Sequence, residues 1–179
     1  MKANMKDLLA EGLYHLIIHK PFEKITIKQI CDKTGVIRGT FYNHFLDKYE
    51  CLEYLCSSLI LNENEKYIKQ MDYHSFIQHS LMTILEHKDF FYKAFLIDGQ
   101  NKFSDMLHRV YKKELYIILR LKNIKNIPLS LDLYATYHAG TLILMIHNWV
   151  NHGCNQSIDT LMETIDYFYE NNLYDLLKD

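Results

Sequence analysis

The stretch Ile25–Lys48, ITIKQICDKTGVIRGTFYNHFLDK, constrains the fold more than any other part of the chain. It predicts two short helices that are joined by a tight turn. Thr26, followed by Gln29 three residues later, is the capping-box pattern that begins a helix. Gly35 comes after that helix, at a point where the left-handed conformation of a turn costs little for glycine. A second helix is then predicted to begin at Arg38, so the segment is expected to form a helix–turn–helix unit.

The second helix of this unit, predicted over residues 38–45, has an apolar and a polar side. Phe41 and Phe45 share one face at the four-residue spacing and are expected to anchor the helix on the first one. The remaining surface carries Arg38, Gly39, Thr40, Tyr42, Asn43 and His44, and Lys48 begins the next helix. Arginine can bind guanine and asparagine can bind adenine through paired hydrogen bonds, while the other polar groups suit phosphate oxygens. The alternative is an ordinary solvated face, but the coincidence of cap, turn, anchor and polar set favours DNA binding.

The rest of the chain predicts an all-α protein. Only two prolines and six glycines occur in 179 residues, and apolar residues recur at three- and four-residue steps. A first helix is predicted over 4–19 and ends before Pro21. Later helices are predicted over 47–70, 75–86, 89–97, 101–121, 129–152 and from Ser157 or Asp159 to about 177. We therefore expect a helical DNA-binding domain over residues 1–48 and a second helical domain over residues 49–179, to which the apolar last helices and the aromatic residues described below assign dimerisation and ligand sensing.

Charge and cysteine content suit a regulator that works inside the cell. The net charge is −2, but residues 1–50 carry eight Lys/Arg against six Asp/Glu, so the predicted head is mildly basic on an acidic body. The four cysteines form no metal-finger spacing and follow no secretory signal, which predicts reduced thiols. No apolar run approaches the roughly 20 residues that a membrane-spanning helix needs. We expect a cytoplasmic protein that has no contact with a membrane.

The sequence FEKITIKQICDKTGVIRGTFYNHFLDKYECL resembles the N-terminal domain of TetR/AcrR-family transcriptional regulators. The body is similar to the Firmicutes-type TetR C-terminal domain, including a W-x-x-x-G ending from Trp149 to Gly153. The resemblance implies a three-helix DNA-binding head that is joined by a long helix to a regulatory and dimerisation body. By resemblance, Thr26 and Lys28 would contact the DNA backbone, Arg38, Thr40 and Asn43 would face bases, and Tyr42, His44 and Lys48 would bind phosphates. One departure is Ile37, which occupies a position where the family often has a capping Ser or Thr.

The last two predicted helices indicate a homodimer. Residues 129–152 are apolar nearly all round, and the final helix carries a stripe that includes Leu161, Ile165 and Phe168. Two such helices need more cover than a monomer of this size supplies. A homodimer through these helices would place two recognition helices about one DNA turn (~34 Å) or a multiple apart, so the predicted double-stranded DNA operator is an inverted repeat.

The body also contains candidates for an effector pocket. Aromatic and sulfur-containing side chains that could line an apolar pocket are Phe91, Phe95, Phe103, Met106, Tyr137, Met145 and Trp149. The alternative is that they simply form the core. His138, His147, His152 and Cys154 could be metal ligands, but their spacing does not place them on one helix face, so we assign no metal and no cofactor.

These features predict a dimeric repressor that a small apolar or aromatic effector releases from its operator. Two alternatives stay open. One is a coactivator that binds another regulator protein, which the missing helix cap at Ile37 would suit, and the other is a metal-responsive sensor. An enzyme is not expected, because the chain contains no nucleophile elbow, no HExxH and no phosphate-binding loop.

Overall fold

The computed structural model describes residues 4–62, 64–99, 102–124 and 130–171, and these residues form α-helices and one short 3₁₀ turn but no strand. The 3₁₀ turn spans Phe22–Lys24. The helices are α1 (Met5–His19), α2 (Ile27–Thr34), α3 (Arg38–Tyr42), α4 (Lys48–Leu61), α5 (Glu65–Lys69), α6 (Tyr73–Glu86), α7 (Lys88–Phe95), α8 (Phe103–Leu121), α9 (Leu131–Asn151) and α10 (Ile158–Glu170). The all-α prediction is confirmed.

Local signals begin and end the helices of the head as the sequence predicts. The Thr26 side chain accepts a hydrogen bond from the Gln29 backbone, and the Gln29 side chain accepts one from the Thr26 backbone, so the capping box of α2 is complete. Gly35 ends α2 with φ of 72°, a left-handed conformation that glycine adopts without strain. Asp47 begins α4 by accepting hydrogen bonds from two backbone N–H groups.

Helices α1 and α2 approach each other closely at Gly12, which is buried in the middle of α1. A β-carbon at Gly12 would lie 2.4 Å from Cγ2 of Thr34, at the end of α2. Thr34 is itself fixed, because its hydroxyl donates to the carbonyls of Ile30 and Cys31. The absence of a side chain at Gly12 therefore sets the distance between the two helices.

The body packs around α8 and α9, and one continuous apolar core joins it to the head. Its buried side chains range from Leu9 in α1 to Ile165 in α10. Tyr14 of α1 stacks on Phe90 of α7 with ring centroids 5.0 Å apart, and its hydroxyl forms a 2.9 Å hydrogen bond with Nδ1 of His87. The head is thus packed directly on the body.

Three helix boundaries differ from the predictions. Helix α3 ends at Tyr42, because the backbone turns at Asn43. The N–H groups of His44 and Phe45 both donate to the carbonyl of Phe41. The predicted long helix over 47–70 is divided into α4 and α5. The last helix ends at Glu170, and the rest of its predicted length lies outside the described residues. None of the described helices is long and apolar enough to span a membrane.

Gly12→Ala should lower the free energy of unfolding by about 1–3 kcal/mol, because the added methyl group would force apart two packed helices. Thermal or urea unfolding followed by circular dichroism measures the change. Gly39→Ala is the matched control, since a β-carbon there would meet only the tip of one side chain at 3.9 Å and alanine favours the helix. Equal stability of the two variants would contradict the close α1–α2 contact.

Candidate nucleic-acid interface

Helix α3 is anchored by two phenylalanines on its inner side. Phe41 is fully buried, Phe45 is 2% exposed, and their ring centroids lie 5.7 Å apart. Phe45 also packs on Tyr54 of α4 at 5.5 Å. A helix of five residues has almost no intrinsic stability in water, so this burial determines its position and orientation.

The outer side of α3 brings together the polar residues that the sequence predicts for base and phosphate contacts. Arg38, Gly39, Tyr42 and Asn43 are exposed, and Thr40 and His44 are half-buried. Arg38 forms no salt bridge with any described residue, so its guanidinium is available to a ligand. Tyr42 is 56% exposed, and its ring stands edge-on to Phe41, which directs the phenol away from the core. The arrangement presents hydrogen-bond donors on one small convex surface.

The two predicted contacts on α2 lie beside this surface and already have partners within the protein. The Thr26 hydroxyl accepts the N-cap hydrogen bond, which leaves its own hydrogen free. The ammonium group of Lys28 lies 2.7 Å from a carboxylate oxygen of Asp32. Since both side chains are exposed, this ion pair contributes little and can exchange for a phosphate.

Lys48 has a structural function that the sequence does not reveal. Its ammonium donates hydrogen bonds to the carbonyls of Phe22, Glu23 and Ile25 at 2.8, 3.2 and 3.0 Å, and it lies 4.5 Å from the centroid of the Phe22 ring. Burial lowers the pKa of Lys48, and the neighbouring Glu23 and Asp47 oppose that shift. All three ammonium hydrogens are matched. A bond from Lys48 to phosphate would have to replace one of them.

Two apolar side chains are exposed to solvent on either side of α3. Ile37 is 76% exposed and occupies the N-cap position of α3 without a side-chain hydrogen bond, as its apolar character predicts. Leu46, which follows α3, is 82% exposed. The sequence does not single out Leu46, because an isolated leucine in a loop has no periodicity that indicates its exposure.

The predicted effector residues fall into two separate groups. Phe91, Phe95, Phe103, Met106 and Trp149 are buried core residues, and the rings of Phe91 and Phe95 contact that of Phe103 at centroid distances of 5.8 and 5.3 Å. The Trp149 indole donates to the Gln156 carbonyl at 3.0 Å. Tyr137 and Met145 instead line an open cavity of about 750 Å³ between α9 and α10. The structure does not bring the seven residues together around one pocket.

The histidines near the end of α9 have other partners. His147 stacks on Phe95 with centroids 4.6 Å apart and shares a hydrogen bond with Asn151, and His152 bonds a backbone carbonyl. Burial lowers the pKa of His138. Among the described residues, no three His, Cys, Asp or Glu side chains converge in a group that could hold a metal ion.

A buried polar cluster, composed of Asn64, Tyr73, Ser80 and Tyr111, lies between α5, α6 and α8. The Asn64 amide donates to Ile60 and, at 3.5 Å, to Ser80, but its carbonyl oxygen has no partner. The hydroxyls of Tyr73 and Tyr111 are buried without a hydrogen-bond partner in the described structure.

The two tyrosines of this cluster flank the ring of Phe76, at centroid distances of 5.8 Å and 5.4 Å. Burial raises the pKa of both tyrosines; at Tyr111 the neighbouring Ser80 side chain opposes that shift, and Tyr169 of α10 adds to the shift of each. Sequence reasoning missed the cluster because its members are far apart along the chain and only the fold unites them.

Comparisons with known proteins agree with this architecture. Residues 9–55 match the sequence profile of the tetR family of bacterial regulatory proteins, and residues 71–171 match that of a transcriptional regulator C-terminal region. No curated protein sequence matches the chain significantly.

Several solved structures share the fold at low sequence identity. The dihydroxyacetone kinase operon activator DhaS is 19% identical over 90% of this chain and 92% of its own, with a TM-score of 0.64. The fatty acid degradation regulator FadR from Bacillus halodurans is 18% identical over 97% and 98%, with a TM-score of 0.62. Thermus thermophilus FadR, a repressor solved with lauroyl-CoA, is 15% identical over 97% and 96%, with a TM-score of 0.68.

The C-terminal profile covers more than half of the chain, and the N-terminal profile covers the helix–turn–helix that carries the polar surface of α3. The enzyme alternative has no support, because regulators of this kind act by binding DNA. The chain belongs to the TetR family of bacterial transcriptional regulators.

Proposed function

We propose that this protein is a dimeric repressor that binds an inverted-repeat operator through α3 and is released by a small-molecule effector. The observation that supports it most is the exposed polar side of α3, which stands on the buried pair Phe41 and Phe45. A recognition helix needs both an anchored inner face and hydrogen-bond donors that project outward. In this proposal Arg38 binds guanine and Asn43 binds adenine.

The remaining polar residues fix the position of α3 in the groove. Tyr42 and His44 lie where they can donate to phosphates, and Thr40 can contact a phosphate or a thymine methyl group. Thr26 and Lys28 at the start of α2 extend the contact to the backbone, and Gly39 allows the helix to approach closely. Lys48 contributes its positive charge from a site beside the α4 N-terminus while it bonds the carbonyls of the 3₁₀ turn.

An exposed apolar stripe on α9 supports the dimer. Leu133, Tyr137 and Leu144 recur at helical spacing on the side of α9 opposite its buried residues, and they are 51%, 64% and 69% exposed. Gly140 lies in the same stripe and is exposed, and a β-carbon there would lie 3.8 Å from the His108 ring at the α8 border of the stripe. Phe168 of α10 is 61% exposed and borders the same groove. A contiguous apolar surface of this kind indicates a protein interface, and a second copy of the chain is the occupant we propose.

The buried polar cluster supports an effector that is apolar but carries a polar group. Two phenol hydroxyls can donate to a carbonyl or carboxylate, and the free oxygen of Asn64 can accept from a hydroxyl or amide. Buried polar groups without partners cost free energy, and a ligand that satisfies them gains it back. Tyr169 lines the cavity beside α10 and adds to the burial that raises the pKa of both Tyr73 and Tyr111, so it links the cavity to this cluster electrostatically. The alternative, a wholly apolar effector among the phenylalanines, would have to displace packed core rings.

A coactivator that binds another regulator is the second candidate. One structural relative is an operon activator by its description, and the exposed Ile37 and Leu46 could suit a protein surface. Salt separates the two functions, because direct binding to several phosphates weakens steeply with ionic strength. A metal-responsive sensor has no support from the described residues.

Arg38→Ala should weaken binding to the operator at least tenfold, since each guanine contact is worth about 1–3 kcal/mol and a dimer makes two. Fluorescence anisotropy with a duplex selected from random DNA by the wild-type protein, repeated at several salt concentrations, measures the affinity. Arg120→Ala removes an exposed arginine from α8 and should leave the affinity unchanged. A wild-type affinity that does not depend on salt, or an unaffected Arg38→Ala, would contradict the DNA-binding role.

Leu144→Glu should convert the dimer into a monomer, because it places a charge in the apolar stripe, at the point where the stripe meets the cavity beside α10. The side chain is exposed within one subunit, so the fold should remain intact. Light scattering after gel filtration gives the mass, and circular dichroism checks the fold. The control is Leu121→Glu at the end of α8, where the leucine is 60% exposed but lies off the stripe. A Leu144→Glu dimer would show that the subunits join elsewhere.

Tyr73→Phe should leave the stability of the free protein unchanged or raise it by up to about 1–3 kcal/mol, because it deletes a buried hydroxyl that has no partner. Thermal unfolding measures the change. The control is Tyr54→Phe, which removes a hydroxyl that donates to Asp7 at 2.6 Å and should cost about 1 kcal/mol. If both variants lose the same stability, the Tyr73 hydroxyl is already bonded in the free protein and the polar cluster needs no ligand.

A further inference from the structure

Ile37 is placed where an apolar side chain does nothing for the fold. Its backbone is extended, and its carbonyl accepts the first hydrogen bonds of α3 from Thr40 and Phe41 at 3.0 and 3.4 Å. Its side chain caps no N–H group and is 76% exposed. A serine or threonine would cap the helix here, so isoleucine forgoes that stabilisation. The fold therefore gives no reason for an aliphatic group at this position.

The side chain of Ile37 lies along the first turn of α3. A β-carbon built on Gly39 would have only one neighbour within 4 Å, the Cδ1 atom of Ile37 at 3.9 Å. Ile37 thus borders the outer surface of Gly39 and adjoins Arg38 in the chain. Because Gly39 has no side chain, it does not separate this aliphatic group from a duplex that docks on the surface.

The N-terminal residues of a recognition helix contact base edges in the major groove. Thymine is the one base that presents a methyl group there. An aliphatic side chain next to an arginine fits a step in which thymine neighbours the guanine that Arg38 binds. We propose that Ile37 is a specificity-determining residue that contacts a thymine methyl group in each half of the operator.

Docking of another protein on the same residue is the competing explanation. A protein interface needs a contiguous apolar patch. Ile37 and Leu46 lie at opposite ends of α3, and the exposed side chains of Arg38, Tyr42 and Asn43 come between them along the chain. One aliphatic group among hydrogen-bond donors matches a groove edge, where one methyl group lies among acceptors, better than it matches an apolar protein surface.

The inference rests on DNA binding by α3, and removal of single methyl groups from the DNA tests it separately. Thymines in a duplex that the wild-type protein selects from random DNA are replaced one at a time by deoxyuridine, which lacks only the 5-methyl group. For the wild type, one position in each half-site should weaken binding about fourfold, and replacement in both half-sites about 15-fold, from the free energy of burying one methyl group.

Ile37→Ser is the decisive variant, because serine restores a capping hydroxyl and so keeps α3 folded. It should bind the thymine duplex about as weakly as the wild type binds the deoxyuridine duplex, with no further loss on deoxyuridine. The control Leu46→Ala removes the other exposed aliphatic group and should keep the full sensitivity to the methyl group. Double-mutant cycles of protein and DNA changes give the coupling directly.

Three results would overturn the assignment. The first is a wild type that responds to no single deoxyuridine, and the second is an Ile37→Ser protein that keeps the same penalty as the wild type. The third is an unchanged DNA affinity of Ile37→Ser together with loss of binding to a partner regulator, which would identify a protein-docking residue. A wild type that selects no duplex at all contradicts DNA binding itself and is distinguishable from all three.

Discussion

The burial of Phe41 and Phe45 is the interaction on which the regulatory surface depends. Helix α3 spans five residues and has no side-chain cap, so it would not persist in water by itself. Phe41 of α3 and Phe45, which follows the helix, enter a core to which α1 and α4 contribute, and Gly12 allows α1 and α2 to meet without a gap. The packing of this core therefore determines how precisely the polar side of α3 is positioned. A substitution far from the DNA, at Gly12 for example, can disturb recognition without touching a contact residue.

The charge of Lys48 stabilises the fold and so maintains the shape of the neighbouring interface. The carbonyls of Phe22 and Glu23 in the 3₁₀ turn and of Ile25 just after it all accept hydrogen bonds from the ammonium of Lys48 at the start of α4. Burial costs the charge some hydration, which is why its pKa falls, and the carbonyl oxygens and the face of Phe22 replace the lost water. This bridge fixes the entrance to α4 against the loop before α2. In this chain Lys48 thus has a structural role, whatever it contributes to DNA binding.

Local sequence patterns predict most of the helices. The features that these patterns do not predict depend on contacts between residues far apart in the chain. Capping residues and apolar periodicity locate α1, α2 and α6–α10 within a few residues, and the polar side of α3 follows from residue types at helical spacing. The break between α4 and α5 was not predicted, because Asn64 ends the helix through its own side chain, which bonds to Ile60. The carbonyl partners of Lys48 lie 23–26 residues away along the chain. The phenylalanines that are predicted to line a pocket pack on one another instead. Such pairings depend on the fold rather than on the local pattern.

The same contacts that attach the head to the body define how an effector could act. Two of these contacts are side-chain hydrogen bonds. Tyr14 of α1 bonds His87 beside α7, and Glu53 of α4 accepts a 2.8 Å hydrogen bond from Arg109 of α8. Helix α8 also carries Tyr111 of the buried polar cluster, one turn or less from Arg109 on the same helix. Under the proposed function, a ligand that bonds Tyr111 and shifts α8 is expected to displace Arg109 and its partner Glu53 on α4, while α1 stays attached to α7. In the proposed dimer the two α3 helices have to match one groove spacing, so we expect this displacement to weaken operator binding, since both half-sites must fit at once.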